Sequence, residues 1–360
     1  MERFYCKTKL ISGSGAVKEL ETLDIEKLLM VTDPYFMEKG TAQTIAAISK
    51  AKQVEYFSKV KPDPSVELAA QGTSLVKAFQ PDTVIALGGG SAMDCAKAMV
   101  YFSGGAIRLV AIPTTSGSGS EVTDFAILTH GGVKHPLVDP GICPDVAILD
   151  SDLLTQLPPK LIADTGFDVI AHALEAYVAK NAGAVTDALA RDAFACAYAL
   201  LSASYHGNLQ VRQRLHTAAT MAGMAFSSAG LGLCHAISHS LGGAFHLPHG
   251  RLNAILLPAV ITCNAHSVQK KYAKLARSAG ICATADTVAV RNLKNALIRL
   301  RQELQLPATL AQAGIDPKQV QRAMPQLVAA TLADPCCATN PIGVEAFMIR
   351  SVLDAVTGHG

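Results

Sequence analysis

Asp168 and His172 stand four residues apart, as do His235 and His239, and His246 and His249 follow in Phe245-His246-Leu247-Pro248-His249-Gly250. Both four-residue pairs lie in stretches of helical periodicity, so the side chains of each pair project from one face. A carboxylate with neutral imidazoles is a good shell for a divalent transition metal, and a coordination position left open makes a Lewis-acid site. A lone histidine on an apolar helix is ordinarily a packed or capping residue. Here five of the eleven histidines gather in two short, otherwise apolar segments, which favours metal binding. Spacing alone leaves open which of His235, His239, His246 and His249 coordinate.

A second chemistry is suggested nearer the start of the chain. Gly88-Gly89-Gly90-Ser91 follows an apolar run and precedes a helical stretch, Ala92 to Tyr101. Residues without a Cβ let the backbone approach a pyrophosphate, and the helix start offers N–H groups and the positive end of a dipole. The turn is not GxGxxG, and a tight strand-to-helix connection is its plainer reading. Thr114-Thr115-Ser116-Gly117-Ser118-Gly119-Ser120 follows the next strand at the same sheet edge, where doubly wound sheets bind ligands; otherwise it is a surface loop. Asp33, ending the first apolar run, could accept hydrogen bonds from a ribose and repel a 2′-phosphate, or be only a turn residue before Pro34. Competing constellations are missing: there is no Walker A lysine motif, no GxSxG and no HExxH. Ser116 and Ser118 have no histidine base tied to them. Glu121, Asp124, Asp168 and Glu175 follow no spacing rule for a glycosidase pair.

The elements that must carry these residues divide into two textures. Lys27 to Thr32, Gln53 to Phe57, Thr83 to Leu87 and Leu109 to Ile112 are short strand-like runs, with helical patterns such as Ser65 to Ala78 between them. That alternation implies βαβ units and a parallel sheet covered on both faces. Thr129 to Asp150 suggests extra strands, ending in Val146 to Leu149. After Leu157-Pro158-Pro159 come long Ala- and Leu-rich stretches: Lys160 to Lys180, Ala184 to Tyr205, Val211 to Ser228, Leu233 to Ala244 and His249 to Asn264. The expectation is a Rossmann-like α/β domain over residues 1–155 and an all-α, metal-binding domain over residues 156–360.

Composition agrees with an enzyme and narrows its surroundings. At 360 residues, 50% hydrophobic and 17% charged, the chain can bury two cores. A net charge of +2 without basic blocks, and no Trp, points away from nucleic acid and membrane surfaces. Met1 to Leu10 has no apolar h-region, and no apolar stretch reaches the roughly 20 residues of a membrane span. Nine scattered cysteines without a CxxC pair read as reduced thiols. A soluble cytoplasmic protein is expected.

With these motifs in order, the chain resembles the iron-containing (group III) alcohol dehydrogenases from Tyr5 to about Ile349. The likeness rests on Gly88 to Asp94, Pro113 to Thr123, Gly166-Phe167-Asp168, His172 to Tyr177, and Gly230 to His235 with His239. Leu241-Gly242, Pro248-His249-Gly250, Asp334 and Asn340-Pro341 extend it. Within the family it is most similar to the propanol dehydrogenases of bacterial propanediol-utilising microcompartments. The resemblance implies a dehydroquinate synthase-like fold and a metal held by Asp168, His172, His235 and His249, with Fe²⁺ expected and Zn²⁺ the alternative. It implies that His239 relays protons beside the nicotinamide, while His246 inherits no role. It further implies NAD selection by Asp33, a pyrophosphate on Gly89, Gly90 and Ser91, and cofactor contacts from Thr114, Thr115 and Lys134. Asp63 stands where many members have Asn, and Arg251 where small or apolar residues are common, so a cofactor contact at Asp63 does not carry over.

The activity so implied is NAD-dependent interconversion of short-chain primary alcohols and aldehydes, such as propanal and 1-propanol. The cofactor does the redox chemistry; the protein positions and polarises. A homodimer and a place inside a microcompartment are implied partners. Glycerol or 1,3-propanediol dehydrogenase is the near alternative, and a dehydroquinate-synthase-like lyase the alternative from another class. A non-catalytic scaffold would show degenerate ligand positions, and all four are filled.

Overall fold

Aliphatic runs that end in turn residues become the strands of the first part of the chain. In order they are β1 (Lys9–Ser12), β2 (Lys27–Thr32), α1 (Pro34–Glu38), α2 (Thr41–Ile48), β3 (Gln53–Phe57), α3 (Val66–Phe79), β4 (Thr83–Gly88), α4 (Gly90–Ser103), β5 (Arg108–Pro113), β6 (Phe125–His130), β7 (Val133–Val138) and β8 (Val146–Leu149). These come from a computed structural model that describes every residue except Met1, Arg3, Gly132, His359 and Gly360, and only the backbone of Val133. Six strands form one parallel sheet in the order β1-β8-β5-β4-β2-β3. Strand alternation sorts its residues onto two apolar faces. Leu29, Val84, Ala86 and Ala111 pack with Met93, Ala96 and Met99 of α4 on one face. Leu28, Ile85, Leu87 and Ile112 pack with Ile45 and Ala46 of α2 on the other. Burial on both faces is why these strands are continuous hydrophobic runs.

Three details of this part depart from the sequence reading. β1 lies outside the expected strands: it is a largely exposed edge strand, paired with β8 from Lys9↔Val146 onward. The extra strands split two ways, because β6 and β7 make a separate antiparallel hairpin while β8 enters the main sheet between β1 and β5. α4 also starts at Gly90, two residues before the expected Ala92, with Gly89 as its extended N-cap.

The rest of the chain is helical: α5 (Pro159–Val178), α6 (Ala184–Tyr205), α7 (Arg212–Ala229), α8 (Leu233–Phe245), α9 (His249–Ser278), α10 (Asp286–Glu303), α11 (Pro317–Ala333), α12 (Cys336–Thr339) and α13 (Ala346–Thr357). Residues 6–157 form one unit; residues 158–358 form another, which also includes Glu2, Phe4 and Tyr5. The Glu2 carboxylate accepts the Ala184 N–H at the start of α6 (3.0 Å). α5 is buried on all sides from Gly166 to Val178, so its polar residues there, Asp168, His172 and Glu175, need partners inside the protein. Two glycines permit its close neighbours. A Cβ on Gly166 would lie 2.1 Å from the Leu201 Cδ1 of α6, and one on Gly250 of α9 would lie 1.9 Å from the Asp164 carbonyl oxygen. α9 outruns the expected stretch ending at Asn264 and continues to Ser278 across a non-helical Val268. All nine cysteines are free thiols. Among the described residues no single helix is long and apolar enough to cross a membrane.

Candidate active site

In the α/β unit the two polar turns meet at the carboxyl edge of the sheet. Thr32 of β2 is level with Leu87 of β4, and Gly88 is level with Pro113 of β5. Asp33, the glycine turn and Thr114 therefore leave the sheet side by side. The Thr114 N–H donates to the Gly88 carbonyl (2.9 Å), joining the turns. A Cβ on Gly89 would stand 3.3 Å from Thr115 Oγ1, and one on Gly90 would stand 3.1 Å from Ser118 Cβ. Glycine thus keeps open the space between the turns, and the N–H groups of Gly90 and Ser91 begin α4 there. That cradle suits a pyrophosphate. Asp33 caps α1 by accepting the Phe36 N–H on Oδ1 (3.2 Å). Its Oδ2 faces the turn, 3.9 Å from where a Gly88 Cβ would sit. Lys134 of β7 pairs with Asp63 at 2.7 Å, so Asp63 is a partner of one expected cofactor contact.

The Thr114–Thr123 segment is anchored by a residue the motif search passed over. Lys97 on α4 is fully buried, and its ammonium donates to Ser120 Oγ, Thr123 Oγ1, and the carbonyls of Thr123 and Phe125 at 2.8–3.1 Å. Burial pulls Lys97 down to about 8, against the pull of Asp94. Asp94 itself is pushed up by burial and accepts from Ser120 Oγ at 2.8 Å. The only sign in the sequence was Asp94 and Lys97 one helical turn apart on a helix with an apolar interior.

In the helical unit, Asp168 and His172 from α5, His235 from α8 and His249 from the first turn of α9 offer four ligating atoms. All lie within 4.8 Å of one another. His235 Nε2 and His249 Nε2 lie 3.8 and 3.7 Å from Asp168 Oδ1. The His172 ring is stacked between Phe226 and His235, with both centroids 4.5 Å away. Asp168, His172 and His235 are buried, and His249 is half-buried. Burial would push the Asp168 carboxyl up, but His172, His249 and His235 outweigh it and hold it far below the usual carboxylate range. Burial would likewise lower His235, yet Asp168 and Glu175 raise it to about 9. His249 goes the other way: burial, then the other imidazoles, push it well below its ordinary value against the pull of Asp168. One carboxylate facing three crowded imidazoles cannot compensate three protons. A single small divalent cation meets the same lone pairs at once, and this nitrogen and oxygen donor set suits one.

Around these four stand residues to which spacing alone assigns no such role. Glu175, one turn beyond His172, accepts the N–H groups of Gly232 (3.0 Å), Cys234 (2.7 Å) and His235 (3.3 Å), and its Oε2 accepts a hydrogen bond from His235 Nδ1–H at 2.6 Å. That bond places the proton on Nδ1 and turns Nε2 toward Asp168, the tautomer a metal ligand needs. Asn253, four residues after His249, donates to Asp168 Oδ1 (2.7 Å) and lies 3.2 Å from His235 Nε2. Arg251 forms a two-bond pair with Asp164. Asn253 is visible in the sequence only as a helical-spacing neighbour of His249, whereas Glu175 stands in the His172 to Tyr177 motif without an assigned role.

His239 falls outside the four-residue set. Its ring stacks on His249 (5.1 Å between centroids), stands edge-on to His235 (6.2 Å), and offers Nδ1 to Asp334 Oδ2 at 2.8 Å. His246 caps α8 in a left-handed conformation (φ +54°) and also falls outside the four-residue set.

Comparison with known proteins places this architecture in context. Residues 7–151 match the family Iron-containing alcohol dehydrogenase, and residues 162–357 match the Fe-containing alcohol dehydrogenase family, C-terminal. The chain is 40% identical over 367 residues to 1-propanol dehydrogenase PduQ of Salmonella typhimurium, covering 98% of this chain and 99% of that protein. It is 35% identical over 380 residues to the NADPH-dependent butanol dehydrogenase of Clostridium saccharobutylicum, covering 99% and 98%. A solved structure of 1,3-propanediol oxidoreductase superposes with a TM-score of 0.93 at 29% identity, covering 99% of this chain and 100% of that one.

Proposed function

The chain belongs to the iron-containing alcohol dehydrogenase family, and from that premise we propose that it interconverts short-chain primary alcohols and aldehydes, 1-propanol and propanal among them, with NAD. The observation that carries this reading is the convergence of Asp168, His172, His235 and His249 within 4.8 Å. These four hold the divalent metal, Fe²⁺ in the first instance with Zn²⁺ as an alternative. When bound there, the metal supplies a Lewis acid for the substrate oxygen.

The remaining work belongs to the chain's own side chains. Glu175 keeps the His235 proton on Nδ1, and Asn253 holds Asp168 Oδ1 in place. His239, with Nδ1 on Asp334, carries the alcohol proton on its other nitrogen. In the α/β unit, Gly89, Gly90 and Ser91 cradle the pyrophosphate, with Thr114 and Thr115 opposite. Asp33 accepts from the ribose and disfavours a 2′-phosphate, which supports NAD here although one relative is NADPH-dependent. Lys134 reaches the cofactor from its pairing with Asp63. The likeness to 1,3-propanediol oxidoreductase favours a diol as the second substrate reading. We read the protein as a cytoplasmic homodimer, with a microcompartment as its place of work where one is present.

An anaerobic assay of C2–C4 alcohols, diols and aldehydes, with Fe²⁺ and again with Zn²⁺, tests this. NADH should accumulate with 1-propanol in the metal-loaded protein. His249→Ala should lose both metal and turnover while still binding NAD. Turnover without net NADH would favour a lyase that uses its cofactor transiently, and would overturn the reading.

A further inference from the structure

A second group of ligating atoms lies beside the first. His239, Asp334 and Cys336 each offer one such atom, all within 4.8 Å of one another. We propose that these three residues form a second cation site, selective for thiophilic divalent ions such as Zn²⁺ and Cd²⁺, whose occupation immobilises His239.

The Asp334 carboxylate already organises the other two residues. Oδ2 accepts from His239 Nδ1 at 2.8 Å, and Oδ1 accepts the Cys336 backbone N–H at 2.9 Å. The neighbouring thiol is directed elsewhere: Cys337 Sγ donates to the Thr331 carbonyl at the end of α11, 3.0 Å away. Cys336 is therefore the thiol of this cluster. Ligands of a tetrahedral zinc, at about 2.0–2.3 Å from the ion, stand about 3.5 Å from one another, so displacements on the order of 1 Å close the set. Water can supply the fourth position.

The donor types separate the two sites. The first offers nitrogen and oxygen only; the second adds sulfur, which selects Zn²⁺, Cd²⁺ or Cu⁺ over harder ions. Binding moves no electrons. The Cys336 S–H gives its proton to water, the His239 proton shifts through water from Nδ1 to Nε2 so that the ring stays neutral, and the sulfur and Nδ1 lone pairs go to the cation. The Nδ1–H bond to Asp334 is replaced by coordination of both groups to one ion. With Nδ1 so held, His239 cannot exchange its proton with Asp334. Ring contact of His239 with His249 and His235 sets this cluster directly beside the other.

The test uses the full chain carrying one Fe²⁺ per molecule, titrated anaerobically with Cd²⁺. Bound cadmium and retained iron are measured, together with the ultraviolet thiolate-to-cadmium charge-transfer band. Wild type should take one cadmium beside its iron and develop the band. Cys337→Ser should behave as wild type, whereas Cys336→Ser should keep its iron, lose the band and bind cadmium at least tenfold more weakly. No band in wild type, or an undiminished band in Cys336→Ser, would overturn the site. Inhibition is a separate arm, since it rests on the role given to His239. Excess Zn²⁺ should inhibit wild type and spare Cys336→Ser. A filled site without inhibition would overturn the immobilisation of His239 while leaving the spectroscopic result intact.

Discussion

The Glu175 carboxylate lies 2.6 Å from Nδ1 of His235 and also accepts the N–H groups that begin α8. One buried side chain thus fixes both the ring and the backbone that presents it. Glu175→Gln puts an amide NH₂ among donors and removes the charge. Metal affinity should fall about 10- to 100-fold, the usual cost of losing an outer partner of a ligand. Competition with a chromophoric chelator measures it, and an affinity equal to wild type would remove Glu175 from this role.

Gly250→Ala and Gly166→Ala should differ in severity. The added Cβ at 250 meets a backbone carbonyl, Asp164 O at 1.9 Å, which has no rotamer to escape into. At 166 it meets Leu201 methyl groups that can turn away. Overpacking of this kind costs about 1–3 kcal/mol. Gly250→Ala should lie at or above the top of that range and displace the adjacent His249, lowering both melting temperature and metal content. Gly166→Ala should lower the melting temperature alone. Equal metal content in the two variants counts against the packing argument.

Asp33→Ser keeps a side chain able to cap α1 while removing the negative charge beside the glycine turn. The ratio of kcat/KM for NADP to that for NAD should rise by about tenfold or more, equivalent to about 1.4 kcal/mol. An unchanged ratio assigns Asp33 to capping alone.

Lys97 makes stability depend on alkaline pH. Its folded value, about 8, lies below the ordinary 10.5. Below about pH 8 the ammonium is charged in folded and unfolded chains alike, and its burial cost is fully present. Between about 8 and 10.5 the unfolded chain holds the proton and the folded one does not, so this group makes stability rise with pH. Urea midpoints of wild type minus Lys97→Met, taken from pH 7.5 to 10, should trend upward. A flat difference would mean that the hydrogen bonds to Ser120, Thr123 and Phe125 hold the proton in place.

Much of this could be seen in the residues beforehand, for identifiable reasons. The αβ alternation, the parallel sheet and the long helices follow from short continuous apolar runs that end in turn residues and from the 3.6-residue period, both of which are local. The i,i+4 pairs Asp168/His172 and His235/His239 marked the metal-binding region, while the choice of Asp168, His172, His235 and His249 as its ligands came from the family resemblance. β1 escaped notice because a largely exposed edge strand of four residues has little pattern of its own; its identity comes from pairing with β8, 137 positions along the chain. Glu175, Asn253 and Lys97 were illegible for a related reason. Each is a polar residue whose partners are backbone groups or residues brought near only by folding. The Lys134–Asp63 pair joins β7 to a turn with positive φ at Asp63, which no local pattern foretells.

Asp168, His172 and Glu175 occupy positions i, i+4 and i+7 of α5 and share one face of it. Inserting or deleting a single residue between them would swing part of that set by about 100°, so α5 acts as a ruler whose length is fixed to the residue. Families of this chain should therefore tolerate gaps in the connections before α5 and after it, and almost none from Asp168 to Glu175.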